Sequence, residues 1–351
     1  MTAPRLVAFL LPQFHPIPEN DRWWGEGFTD WSNVRRARPL FAGHFQPHVP
    51  AELGYYDLRD GHVRERLAAL AVDHGITAFC WYHYWFHGRR LLESPFEAVL
   101  ESGEPSMPFC LCWANEPWSR RWDGSDEDVL QPQRYSSVDD EAHIAALLPA
   151  LADRRALTVE GRPVLLVYRA EQLPHPARTA QRWRRAACRA GLGGLHLVAV
   201  EASAAEPVDP RRLGFDATVG FQPDWRRLEQ VDRLATGPPT TRVYAYEDAR
   251  RQLSSAPDVP WRRYPAVCAR WDNTARRGEQ ATVLHGATPS AYEAWLGASI
   301  RQVMGDEPDH RLVFVNAWNE WGEGCHLEPD RRFGHAYLRA TRRAVRGGRP
   351  A

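Results

Sequence analysis

Eight short apolar runs, each bounded by turn residues, constrain the fold of this chain more than any other feature. They lie at Leu6–Leu11, Ile76–Trp81, Phe109–Trp113, Val164–Tyr168, Leu195–Val200, Ala217–Phe221, Ala266–Trp271 and Leu312–Ala317. Continuous runs of Val, Leu, Ala, Phe and Cys suit strands covered on both faces, as in a parallel sheet. Helical patterns fill many of the gaps. His62–His74 places Val63, Leu67, Leu70 and Ala71 on one face and ends at Gly75; Asp139–Leu151 and Thr179–Ala190 behave similarly. Thr288-Pro289 opens another in the order N-cap then first helical residue, and Gly334–Val345 closes the chain. Strand then helix, repeated about eight times, predicts an α/β fold: one (β/α)8 TIM barrel spanning residues 1–351. A doubly wound open sheet is the competitor, but no Gly-x-Gly-x-x-Gly follows the first run.

The connections are uneven. Residues 12–61 form a long Pro-, Trp- and His-rich insertion after the first strand, and residues 222–263 form another after the sixth. Loops of this length in a compact domain are functional or disordered, and their aromatic content argues against disorder. Both leave the C-terminal ends of strands, where barrel active sites sit.

Composition removes several classes of function. Forty-four basic residues balance forty-four acidic ones, so there is no general electrostatic case for a nucleic-acid or membrane partner. Cys80, Cys110, Cys112 and Cys268 fall inside apolar runs and read as small buried hydrophobes of a reducing compartment, not a disulfide framework. Leu6–Leu11 is too short for a signal peptide, and no segment approaches the ~20 apolar residues of a membrane span, so a soluble cytoplasmic protein is expected.

Polar and aromatic residues collect where the runs end. After the second come Tyr82, His83 and Tyr84, between Trp81 and Trp85. After the third, residues 113–123 hold Trp113, Asn115, Glu116, Trp118, Arg120, Arg121, Trp122 and Asp123. The fourth delivers Tyr168 and Arg169, the fifth Glu201, the sixth Gln222, and the seventh Trp271, Asp272 and Asn273. Groups that hydrogen-bond hydroxyls, interleaved with rings that stack on apolar sugar faces, point to an oligosaccharide or polysaccharide ligand. His44 and His48, like His83 and His87, are spaced His-x-x-x-His, but a strand or loop does not bring such rings to one face. No metal and no cofactor is expected.

The eighth run ends in Trp318-Asn319-Glu320-Trp321-Gly322-Glu323-Gly324. If the chain turns helically there, Glu320 and Glu323 share a face with Cβ atoms about 5–6 Å apart, close enough to act on one bond. Asn115-Glu116-Pro117 offers a rival: Glu116 as acid/base and Glu320 as covalent nucleophile, an ordinary retaining pair.

Several stretches carry a family resemblance: Leu11–Asp21 with Trp23-Trp24-Gly25, Phe45–His48, Leu53–Leu58, Tyr82–Phe86, Phe109–Glu116, Trp271–Arg276 and Trp318–Trp321. From residue 6 to about 340 the chain resembles the WbsX-type family of bacterial polysaccharide-biosynthesis loci. More narrowly, through Asn319–Gly324, it is similar to glycoside hydrolase family 99, the endo-α-mannosidases and endo-α-mannanases. The resemblance adds His15, Trp24 and His48 to the expected sugar contacts. It implies a barrel in which Glu320 deprotonates the substrate 2-hydroxyl, so that O2 attacks C1 and forms a 1,2-anhydro sugar. Glu323 then protonates the leaving oxygen and later deprotonates the water that opens the epoxide. Such chemistry requires 1,2-trans glycosides, as in α-mannosides and α-rhamnosides. Glycosyl transfer or transglycosylation in surface-polysaccharide assembly is the alternative, although neither an Asp-x-Asp metal ligand nor a Gly-rich phosphate turn is evident.

Overall fold

A computed structural model describes residues 3–120, 125–202, 206–255 and 258–347. Its centre is a closed ring of parallel strands: β1 Arg5–Leu10, β2 Ala78–Phe86, β3 Phe109–Trp113, β4 Arg162–Val167, β5 His196–Glu201, β6 Ala217–Gly220, β7 in two pieces at Arg263–Tyr264 and Ala266–Cys268, and β8 Leu312–Asn316. β1 pairs with β2 on one side (Val7 opposite Ala78) and with β8 on the other (Arg5 opposite Leu312). Closure falls to β7. Its first piece pairs with β6 and its second with β8. Pro265 divides the pieces because it has no N–H to give the ladder, yet its carbonyl still accepts the Phe314 N–H at 2.9 Å. β1 is buried on both faces from Leu6 onward, which is why it reads as an unbroken apolar run.

The outer layer comprises α1 Gly61–Asp73, α2 Ser94–Ser102, α3 Ser137–Leu151, α4 Pro176–Arg189, α5 Tyr246–Ser254, α6 Pro289–Val303 and α7 Ala336–Gly347. Side-chain caps begin three of them: Asp60 accepts from the His62 N–H, Ser136 from Asp139 and Thr288 from Ala291. Between β5 and β6 the described residues form one 3-10 turn in place of the expected helix, Pro210–Leu213, stopped by Gly214 in the left-handed conformation (φ 75°).

Both long insertions have structure of their own. The first contains helices Pro18–Trp24 and Asp30–Arg36. The second holds α5 itself and a strand, Arg242–Ala245, that pairs in parallel with Thr282–His285 from the β7–α6 connection. Inside the barrel, Phe9 packs on Tyr82, Phe221 and Phe314 at centroid distances of 5.5–5.7 Å, making an apolar floor. Among the described residues no helix is long and apolar enough to cross a membrane.

Candidate active site

Above that floor, at the C-terminal ends of the strands, lies a cavity of about 230 Å³. Tyr82 and Tyr84 of β2, Tyr168 after β4, Phe221 after β6, and Glu116 and Trp118 after β3 line it, together with Trp23 and Trp24 from the first insertion. Glu320 and Glu323 stand in its wall.

The turn that carries the two carboxylates follows from two glycines. Asn319 and Glu320 leave β8 as a short bridge, and Trp321–Glu323 make one 3-10 turn that ends at Gly324 with φ 57°. A Cβ on Gly324 would sit 2.8 Å from the Asp272 carbonyl oxygen, and one on Gly322 would sit 2.5 Å from the Asp30 carboxylate. Gly322 therefore lets Asp30 approach, and its N–H donates to Asp30 Oδ2 at 3.0 Å. Asn319 pins the turn to the barrel: its Oδ1 accepts from the Leu11 N–H at 2.7 Å and its Nδ2 donates to the Leu11 carbonyl at 3.0 Å.

One guanidinium organises the acids. Arg276 donates to Glu320 at 2.9 Å through Nη2, lies 2.8 Å from Glu323 through Nη1, and forks onto Asp30 at 3.0 and 3.1 Å. Three carboxylates share this one cation. Burial pushes the Glu320 and Glu323 carboxyls above the ordinary range; Arg276 opposes that rise, while Asp30 adds to it for both. The Glu320 side chain is 8% exposed and that of Glu323 25% exposed, so Glu323 is the one with readier access to solvent. Burial also holds Tyr82, Tyr84 and Tyr168 as neutral phenols able to donate to and accept from sugar hydroxyls.

The remaining sequence-derived candidates do not line this cavity, and most of them are engaged in contacts of their own. Successive β2 side chains point to opposite faces, so His83 and Trp85 turn away from Tyr82 and Tyr84 and pack on His143 of α3; His83 and His143 meet Nε2 to Nε2 at 3.0 Å. Trp113 joins this group, donating to the Trp85 carbonyl. Asn115 accepts from the Arg169 N–H at 2.7 Å, and Arg169 in turn pairs with Glu116 at 2.9 Å. Arg120 pairs with Asp128 and lies over the Trp24 ring, while Arg121–Asp123 fall outside the described residues. Glu201 pairs with Arg263, and Gln222 accepts from the Asp224 N–H. Trp271 packs on Trp225, and Asn273 accepts from the Thr282 N–H. His15 bonds the Pro12 carbonyl and Ser94; Trp318 is fully buried against Phe79. Burial pushes the Asp272 carboxyl up, but hydrogen bonds from His44 and Thr274 and nearby His48 outweigh it and hold Asp272 below its usual range.

His48, His326 and Asp330 form the one described group of three potential metal ligands. Arg270 donates to Asp330 at 2.6 Å and lies 3.2 Å from His326, placing a positive charge where a cation would have to sit. Burial pushes His48 down to about 4 and His326 well below its ordinary value, so both rings are neutral and serve as hydrogen-bond partners 3.0 Å apart.

Arg276, Gln13 and Asn20 also line the cavity and Asp30 holds Arg276, although none of the four is a strand-end candidate of the sequence. Nothing distinguishes Arg276 among forty-four basic residues except its place in the Trp271–Arg276 stretch.

A closed (β/α)8 barrel with acids and rings around one mouth is the architecture of many carbohydrate-active enzymes, and solved structures of that class share the fold. A glycoside hydrolase-like protein superposes with TM-score 0.61 at 13% identity, over 98% of this chain and 94% of its own. The glycoside hydrolase family 99 endo-α-mannosidase from Bacteroides thetaiotaomicron gives TM-score 0.60 at 13% identity, over 99% and 98% of the two chains. Residues 6–341 match the family described as Glycosyltransferase WbsX, and the chain belongs to that family. An uncharacterized protein named WxcX from Xanthomonas campestris pv. campestris strain B100 is 46% identical over 344 residues, covering 97% of this chain. The chain spans about half the length of this relative and of the WxcX protein of a second strain.

Proposed function

We infer that the barrel is a retaining glycoside hydrolase for 1,2-trans glycans of α-manno or α-rhamno configuration. The observation that carries this reading is that Glu320 and Glu323 face one cavity while bound to adjacent nitrogens of the same guanidinium. Two acids so coupled lose their protons in separate steps, which leaves one neutral and one ionised over an intermediate range of pH. Following the family resemblance, Glu320 takes the 2-hydroxyl proton as O2 attacks C1, with Arg276 supporting its charged form against the burial that pushes it up to about 8. Glu323, the more exposed, protonates the departing oxygen and then activates the water that opens the 1,2-anhydro ring. Both carboxyls recover their starting protonation and the anomeric configuration is retained.

The charge on the cavity wall favours this over a nucleotide-sugar transferase. Among the described residues Glu116, Glu320 and Glu323 line the cavity, and the Arg276 guanidinium that lines it with them is already bound to carboxylates. A diphosphate would face like charges. The test is incubation with α-linked mannan and rhamnan oligosaccharides without nucleotide sugar, following the anomeric proton by NMR. Release of a product that first appears in the α configuration is expected; strict dependence on a nucleotide sugar would overturn the reading.

A further inference from the structure

Helix Pro18–Trp24 carries Asn20, Trp23 and Trp24 at spacings i, i+3 and i+4, and all three line the cavity. Asn20 is 1% exposed, yet neither its Oδ1 nor its Nδ2 has a hydrogen-bond partner among the described residues. A buried amide with both ends unmet is costly, and native structures retain one where something else completes it. The helix is well anchored around it: Asp21 accepts from the Gly27 N–H at 2.9 Å, and Glu19 pairs with Arg89 on the short strand Arg89–Leu91 that runs antiparallel to β2. Trp23 packs edge-on against Trp118 at 6.0 Å, joining the helix to the part of the wall that follows β3.

We propose that Asn20 is a specificity-determining residue that reads a pair of neighbouring hydroxyls on a neutral sugar held between the helix and the carboxylate turn. This rests on the cavity being a glycan site, as inferred above. An amide offers one acceptor and a donor group, so it matches a hydroxyl pair, where one hydroxyl gives a proton and the other accepts. A uronic carboxylate could satisfy only the Nδ2 end and would leave Oδ1 facing negative charge. The proposal therefore sets neutral sugars above acidic ones at this position.

The experiment is calorimetric binding of α-mannotriose, α-rhamnotriose and a mannuronic acid trimer to the Glu320→Gln protein, with and without Asn20→Leu, alongside thermal melts. At least one neutral trimer should bind more tightly than the acidic one, and Asn20→Leu should weaken it about tenfold or more with Tm equal or higher. Asn20→Asp should also weaken neutral binding. Unchanged neutral binding in Asn20→Leu, loss of binding only with a fallen Tm, or no preference for a neutral trimer would overturn the proposal. Binding that depends on Asn20 without any cleavage by the unmodified protein would sink the hydrolase reading alone.

Discussion

The carboxylate pair at the cavity and a sealed carboxylate lie a few residues apart in the chain and behave differently. Glu320 and Glu323 face the cavity and share Arg276 with Asp30. Glu328 is sealed behind them, 1% exposed, and neutral donors face it, the Tyr56 hydroxyl at 2.9 Å and the Trp321 indole N–H among them. Burial pushes its carboxyl up to about 8, with the hydrogen bonds from Trp321 and Tyr56 pulling the other way. Burial thus raises acids in both places, and a high affinity for protons does not by itself mark a catalytic group. What separates the pair from Glu328 is access to a ligand-sized space and a fixed cation that keeps charge in play. Glu328 instead buttresses the turn, since Trp321 donates to it and stacks on His326 at 3.6 Å.

The comparison breaks first at activity. Glu320→Gln and Glu323→Gln should each reduce kcat/KM for a 1,2-trans glycoside by about 10²–10⁴-fold or more with Tm held, the range expected for loss of a general acid or base. Equal activity in either variant would move chemistry elsewhere, with Glu116 the next candidate. In the unmodified protein both acids bind protons more tightly than free carboxyls, so the rising limb of kcat/KM against pH should lie above the usual carboxylate range. Arg276→Met comes next. It strands three carboxylates, two of them in the cavity wall, and should cost about 3–5 kcal/mol in urea denaturation at neutral pH, with the loss shrinking as pH falls and the acids are neutralised. Gly322→Ala is smaller still: a methyl 2.5 Å from the Asp30 oxygen displaces the turn, and misplacement on the order of an ångström costs about 10²-fold in kcat. Retained kcat there would show that the Asp30 contact does not position the acids.

How much of this was legible in the sequence depends on the kind of signal. The barrel was, because strands buried on both faces leave unbroken apolar runs; the seventh run, Ala266–Trp271, starts after Pro265 and so marks only the second piece of β7. That the described part of the β5–β6 connection holds a 3-10 turn and no α-helix is not evident from helical periodicity, although Pro207, Pro210 and Gly214 punctuate that gap. At the site, strand-end position identified Tyr82, Tyr84, Glu116, Trp118, Tyr168, Glu320 and Glu323, all of which line the cavity. It could not separate them from neighbours such as His83, because a one-residue step along a strand reverses the face, and which face is inward depends on register. Asp30 and Arg276 were illegible for another reason. They lie 246 positions apart and acquire meaning only when the first insertion folds over the β7 end.

Glu328 supplies the mildest test, and its sign is set by linkage. A carboxyl near 4.5 when unfolded and about 8 when folded holds a proton in the native state alone between those values. The folded protein therefore binds more protons there, and stability falls as pH rises, by roughly 1.4 kcal/mol per pH unit at most. It is fully present below the unfolded value and levels off once pH passes the folded one. Glu328→Gln keeps the shape and carries no ionisable proton, so its contribution to the slope vanishes. Denaturation of the two proteins between pH 5 and 8 should show the variant losing less stability across that span. Cleavage should persist, because Glu328 does not line the cavity. Parallel slopes would mean that Glu328 is ionised in its sealed site, and lost cleavage at constant stability would mean that the buttress behind Trp321 reaches the reacting acids.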